Sequence, residues 1–343
     1  MIKVTLPFAA LAALALALQT LPAQAAPAAK SPASKSHPAK PRPKSAAKSV
    51  TRAAATTAAP AAAAAAAAAP RSSADIIAQS PASAWRALDP ENTVLMELPQ
   101  GQVLIELAAR FAPRHAENIR LLTRGGYFDG LAVIRVQDNY VTQWGDPEED
   151  DAKARPLGKA ATKLPAEFAI PYQGLPINKL TDVDGWAPLT GFVDGFPVAA
   201  DPKKNKAWLT HCYGMVGAAR SQAPDSSNGS GLYAIIGQAP RALDLNITVV
   251  GRVLAGMELL SSLPRGGGAM GFYDKPEQRL AIQRVRLLAD MPEAERPALQ
   301  VLRTDSPTWN ELLDARRHRS GWFVHSPEHV EVCSATVPTR PAR

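Results

Sequence analysis

The sequence predicts a mostly β fold, an antiparallel sheet closed into a barrel with few helices, and a C-terminal helical extension. Short strand-like apolar runs recur between residues 93 and 288, and each is bounded by Gly, Pro, Asn or Asp. Few segments in the same stretch carry helical spacing. Many short antiparallel strands with few helices are the pattern of a closed barrel.

The chain begins with two segments outside that fold. Residues 1–25 read as a secretory signal, with Lys3 at the positive start, an apolar stretch over 6–18 and an A-x-A cleavage site at Ala23-Gln24-Ala25. The apolar stretch is well short of the roughly 20 residues that a spanning helix needs. A mature chain without a transmembrane segment, delivered to the periplasm, is therefore expected. Residues 26–72 are rich in Ala, Pro, Lys and Ser and hold no acidic residue. Such a composition buries too little apolar surface to offset its conformational entropy, which predicts a disordered tether. Nine of the 38 Lys and Arg lie in residues 1–72, leaving 29 against 31 Asp and Glu in the remainder. The folded part is thus close to neutral, and no nucleic-acid partner is expected.

Residues 73–90 have helix-like apolar spacing at Ile76, Ile77, Ala84, Trp85 and Leu88, interrupted at Pro81. The runs over 93–98 and 103–107 flank Pro99-Gln100-Gly101-Gln102 and predict a β-hairpin. Pro113 suits the first turn of a helix that Gly125-Gly126 ends. Strand-like runs follow over 131–136, 140–143, 214–219, 232–236, 247–253 and 280–288, with a second helix over 253–261. The polar stretch 147–213 contains Trp186, Phe192, Phe196 and Trp208, so an ordered insertion packed on the body is expected over about 169–210. The extension over 291–343 opens a helix at Ser306-Pro307, carrying Trp309, Leu312 and Leu313. Cys212 and Cys333 either form a disulfide or remain two buried thiols, and no Cys/His pattern has metal-ligand spacing.

The stretch 127–147, YFDGLAVIRVQDNYVTQWGDP, resembles the signature region of cyclophilins. Further pieces match in the family's order: Ala116-Glu117-Asn118-Ile119, Gly214 to Arg220 (GMVGAAR), Asn228 to Tyr233 (NGSGLY), Leu243-Asp244 and Thr248 to Val253 (TVVGRV). The resemblance spans roughly residues 91–290. It implies an eight-stranded closed barrel with two capping helices and a peptidyl-prolyl cis/trans isomerase acting on proline-containing unfolded or folding polypeptides. By matching position it implies Arg135 and Gln143 as catalytic. It places Tyr140, Val141, Tyr233 and Leu243 at the proline pocket, and Ala219, Arg220, Gly231 and Ile247 along the peptide cleft. The chain departs from the pattern at Ile134, Trp144 and Gly231, which favour the alternative of a proline-binding chaperone module with weak or no catalysis. Ala242 stands where animal members carry a tryptophan used in drug binding.

The chemistry fits this residue set. Twisting a prolyl amide breaks C–N resonance across a barrier of about 18–20 kcal/mol. No bond is made or cut, so no nucleophile, metal or cofactor is required. A permanently charged arginine can donate a hydrogen bond to the twisting amide while an apolar slot holds the ring.

Overall fold

The computed structural model describes residues 71–148 and 152–342. The expected signal and all but the last two residues of the expected tether lie outside them. Among the described residues, no helix is long and apolar enough to cross a membrane.

Helix α1 (Ser73–Ala78) opens with a capping box, in which the Ser72 hydroxyl accepts the Asp75 N–H at 3.1 Å. The helical segment expected over 73–90 ends there. Pro81 blocks its continuation, and strand β1 (Trp85–Ala87) is drawn into extended form by pairing with residues 300–302. The hairpin forms as expected from β2 (Thr93–Leu98) and β3 (Gly101–Leu107), although Leu98 pairs Gly101 and the turn is only Pro99-Gln100. Helix α2 (Pro113–Arg124) runs between the predicted signals and ends at Gly125, with Gly126 in the left-handed region at φ 67°.

Strands β4 (Ala132–Val136) and β5 (Val141–Gly145) follow, so Tyr140 lies in the turn before the strand expected to contain it. The insertion is built from β6 (Asn178–Lys179), β7 (Leu189–Val193), β8 (Phe196–Asp201) and β9 (Lys206–Leu209), which form a four-stranded antiparallel sheet in chain order. Next come β10 (Met215–Ala218), β11 (Leu232–Ile235), β12 (Val249–Ala255) and α3 (Met257–Ser261). The chain then forms β13 (Leu280–Ala281) and β14 (Arg284–Leu287), followed by β15 (Leu299–Leu302), α4 (Pro307–Arg317) and β16 (Thr339–Pro341). The extension is therefore not only helical: β15 lies between β1 and β16, so the two flanks of the main body share a sheet.

The main sheet curls in the order β13-β4-β5-β11-β10-β12-β3-β2-β14. Nine strands stand where eight were expected, because the final run over 280–288 is split. Its first half pairs with β4 and its second with β2. Between them, Ile282 N–H donates to the Leu131 carbonyl (2.7 Å) and Gln283 N–H to that of Glu97 (2.9 Å).

Alternation along the strands buries both faces of this sheet. Val94, Met96, Ile105, Phe128, Trp144, Val216 and Val285 meet inside the curl together with Ile119 and Leu122 of α2. Val141, Met215, Tyr233, Ile235 and Val249 point the other way. They pack with Phe192, Val198 and Leu209 of the insertion and with Trp309 and Leu312 of α4. Phe192 meets Trp309 edge to face, with ring centroids 4.8 Å apart.

Polar contacts hold these layers in place. Ala112 supplies no side-chain cap to α2, and Glu167 of the segment before β6 takes over that role. It accepts the N–H groups of Arg114 (3.0 Å) and His115 (2.9 Å) and sits 2.6 Å from His115 Nδ1. Asp182 accepts both prongs of Arg317 from α4 and the Val330 N–H. A disulfide joins Cys212, just after β9, to Cys333, with Cα atoms 4.9 Å apart.

Two expectations about stability follow. The disulfide closes a separation of 121 residues, so reducing it, or replacing both cysteines by Ser, should lower the unfolding free energy by about 2–4 kcal/mol in urea titrations. Unchanged midpoints with and without reductant would contradict this. The Arg317 hydrogen bonds hold the Asp182 carboxyl below the usual carboxylate range against the opposing effect of burial. For Glu167, burial pushes the carboxyl up, but its bonds to His115 and to the helix N–H groups outweigh this and bring it below the usual range. Depressed values mean a contribution that is complete above the unfolded carboxylate range and is lost as pH falls through the lower folded values. The urea midpoint should therefore fall between about pH 5 and about pH 3, and less steeply in Asp182→Asn.

Candidate active site

The site begins with an irregularity in one strand. Along β4, Val133 pairs Trp144 but Arg135 pairs Gln143, so Ile134 is an extra residue against one step of the partner. Such a bulge resets the alternation and re-aims the next side chain. Val133 and Val136 consequently both point into the inner core, while Arg135 turns to the outer face. From there the register continues sideways: Arg135 opposite Gln143, Gln143 opposite Tyr233, and Tyr233 opposite Gly217. Directly opposed residues share a face, so these four form one row across four strands.

Arg135 is held from several sides. Its Nε–H donates to the Met270 carbonyl (2.7 Å), Nη1 to Gln143 Oε1 (3.1 Å) and Nη2 to Gln137 Oε1. The guanidinium carbon stands 5.6 Å from the ring centre of Tyr140 and 5.4 Å from that of Phe272. Burial lowers the Arg135 pKa, and Tyr140 and Tyr233 oppose that shift. An arginine has five N–H donors, so two of them remain without a partner among the described residues.

The structure brings most of the predicted pocket together. Val141 and Tyr233 are buried in the outer-face cluster, and Tyr140, Ala219 and Ile247 pack against it half-exposed. Tyr233 needs the absence of a side chain beside it, because a Cβ on Gly217 would overlap its ring and hydroxyl. Burial raises the Tyr233 pKa, so its phenol stays protonated. Gly231 pairs with Ala219, whose N–H its carbonyl accepts at 2.9 Å. Leu243 sits apart from the cluster, half-exposed on the 3-10 turn Arg241–Leu243, next to exposed Ala242. The Arg220 side chain is spent on bracing the loops, donating to the carbonyls of Asn246 (2.9 Å), Ser221 (2.8 Å) and Gln222 (3.0 Å). Trp144 belongs to the inner core and takes no space on the outer face.

Sequence reasoning missed Gln137, Met270 and Phe272, which surround Arg135, and His211, which lies 3.2 Å from the Tyr233 hydroxyl. The run Gly266-Gly267-Gly268 was a usable signal for the first group. A Cβ at Gly266 would strike the backbone of Gly271 and Phe272, so the run lets the chain fold back on itself beside Arg135. The sequence leaves His211 structural or solvated, and the structure buries it between Asp244 and Tyr233.

Comparison with known proteins finds relatives of one kind. Over 190 residues the chain is 30% identical to a probable peptidyl-prolyl cis-trans isomerase of Brucella suis, covering 53% of this chain and 76% of the relative. It is 27% identical over 181 residues to a putative thylakoid lumen peptidyl-prolyl cis-trans isomerase of Synechocystis, covering 51% of this chain and 44% of that one. The crystal structure of a cyclophilin from Hirschia baltica superposes with a TM-score of 0.61 at 26% identity, covering 76% of this chain and 94% of that one. The family model for cyclophilin type peptidyl-prolyl cis-trans isomerase/CLD matches residues 93–287, so the chain belongs to the cyclophilin-type peptidyl-prolyl cis-trans isomerase family.

Proposed function

We propose that this protein accelerates cis/trans isomerisation of Xaa-Pro bonds in exported polypeptides, with Arg135 stabilising the twisted prolyl amide in an apolar slot. The observation that carries the reading is a guanidinium fixed by three hydrogen bonds, with two N–H groups to spare, at the rim of an apolar cluster. A donor already fixed in position loses little freedom when charge develops on its target. In this reading Tyr140, Val141 and Tyr233 form the slot for the proline ring, and Leu243 reaches it from the adjoining turn, whose Leu243 carbonyl accepts the Ile247 N–H. Gln143 both orients Arg135 and binds the peptide, and the strand edge at Ala219, Gly231 and Ile247 aligns the flanking residues. The nine-stranded sheet acts as an eight-position barrel completed through the split strand at 280–287.

Delivery to the periplasm accords with the signal read in residues 1–25. The disulfide supports it, since such bonds persist in oxidising compartments, and a putative lumenal relative is consistent with it. The binding-only module loses part of its support, because Trp144 is buried away from the slot.

A charge-assisted hydrogen bond is worth about 1.5–3 kcal/mol. Arg135→Ala should therefore lower kcat/KM on a short Xaa-Pro peptide by roughly ten- to a hundredfold, without moving the thermal midpoint by more than a few degrees. Peptide binding by a wild-type protein that shows no turnover would establish the binding module instead. Ala242 offers a methyl group where animal members close an indole over cyclosporin-type macrocycles. Weak inhibition by such a macrocycle is expected, strengthened about ten- to a hundredfold in Ala242→Trp through the added apolar burial. Tight inhibition of the wild type would contradict this.

A further inference from the structure

The insertion ends against the floor of the pocket, and the contact is polar. His211 follows β9 and is wholly buried. Its Nε2 lies 3.2 Å from the Tyr233 hydroxyl and its Nδ1 3.0 Å from Asp244 Oδ1. Asp244 also accepts the His211 N–H (2.9 Å), Arg241 Nε (2.6 Å) and Trp208 Nε1 (3.2 Å). The other end of the Arg241 fork reaches Asp184 at 2.9 and 3.3 Å. One chain of contacts thus runs Tyr233, His211, Asp244, Arg241, Asp184. Asp184 belongs to the insertion and His211 directly follows it, while Arg241 and Asp244 bracket Leu243.

The direction of each bond follows from the charges. Burial pushes the Asp244 carboxyl up, but the His211 bond and the Arg241 charge outweigh it and keep the group below the usual range. An ionised Asp244 only accepts, so Nδ1 of His211 carries a proton, and in the neutral ring Nε2 is then the acceptor of the Tyr233 O–H. The Tyr233 ring lies over a glycine that presents no side chain to it. The ring packs in the outer-face cluster, and its hydroxyl ties it to His211.

We propose that His211 and Asp244 are positioning residues of the proline pocket, through which the insertion sets where the Tyr233 ring and the Leu243 turn stand and so how tightly the proline is held. The proposal rests on the isomerase reading above. Neither residue touches substrate. The grip on the pyrrolidine ring is the same in the planar and the twisted amide, so loosening it removes uniform binding and raises KM, whereas loss of Arg135 lowers kcat.

The test measures kcat and KM on an Xaa-Pro peptide for Tyr233→Phe, His211→Ala, the double variant and His211→Gln in the full chain. Each single variant should raise KM about tenfold with kcat within about twofold. The double should be no worse than the worse single, because both cut the same bond. His211→Gln should restore most of the affinity, since an amide can donate to Asp244 and accept from Tyr233. Unchanged KM in the single variants, additive losses, or a fall in kcat at constant KM would overturn the proposal. If His211→Ala does not fold, Tyr233→Phe decides alone, as it removes one oxygen. A wild type without turnover refutes the isomerase reading. The same variants are then compared by affinity for the proline peptide, and equal affinity in Tyr233→Phe and wild type refutes this one.

Discussion

The bulge at Ile134 is the constraint from which the rest of the site follows. With strict alternation, Arg135 would share the face of Val133 and place a guanidinium among Trp144, Val216 and Phe128 inside the curl. A buried cation without a partner costs several kcal/mol, and the strand could not persist in that register. One extra residue lets Val133 and Val136 both stay in the core and turns the charge outward, where the carbonyl of Met270 and the amides of Gln137 and Gln143 receive it. The same shift puts Arg135 opposite Gln143, and the sheet register then aligns Tyr233 and Gly217 behind them. A local backbone irregularity thus becomes a row of opposed residues spanning four strands.

The second organising feature is that the outer face of the sheet is not left to solvent. Much of it is covered by the four-stranded insertion and by α4, and the uncovered remainder is where Arg135 and Tyr140 lie. The cover is fastened at separated points. Glu167 caps α2, Asp182 holds Arg317, His211 holds Tyr233, and Cys212 is bonded to Cys333. Each ties together segments that are apart in the chain. Edges of the pocket that a bare sheet would leave flexible are thereby backed by buried polar contacts and a covalent link.

Much of this was legible in the sequence, and the reason differs by element. The hairpin at 93–107 and helix α2 carry their own stop signals, Pro99-Gln100-Gly101 and Gly125-Gly126, so local chemistry suffices. Arg135, Gln143 and Tyr140 came from a resemblance, and the structure brings them into contact. The segment 73–90 was misread because tertiary pairing with residues 300–302 overrode its helical spacing at Trp85. The final strand was read as one piece because nothing local marks the point where Ile282 and Gln283 pass from β4 to β2. His211 and Phe272 were missed for the same reason: their partners lie 22 and more than 130 residues away in the chain.

The most direct test is exchange NMR on an Xaa-Pro peptide with catalytic amounts of wild type and Arg135→Gln. Cis/trans exchange with wild type should be far faster than the tens to hundreds of seconds of the free peptide. With Arg135→Gln, exchange should slow roughly ten- to a hundredfold while the peptide still binds. Equal exchange with both proteins, or none with the wild type, would contradict this.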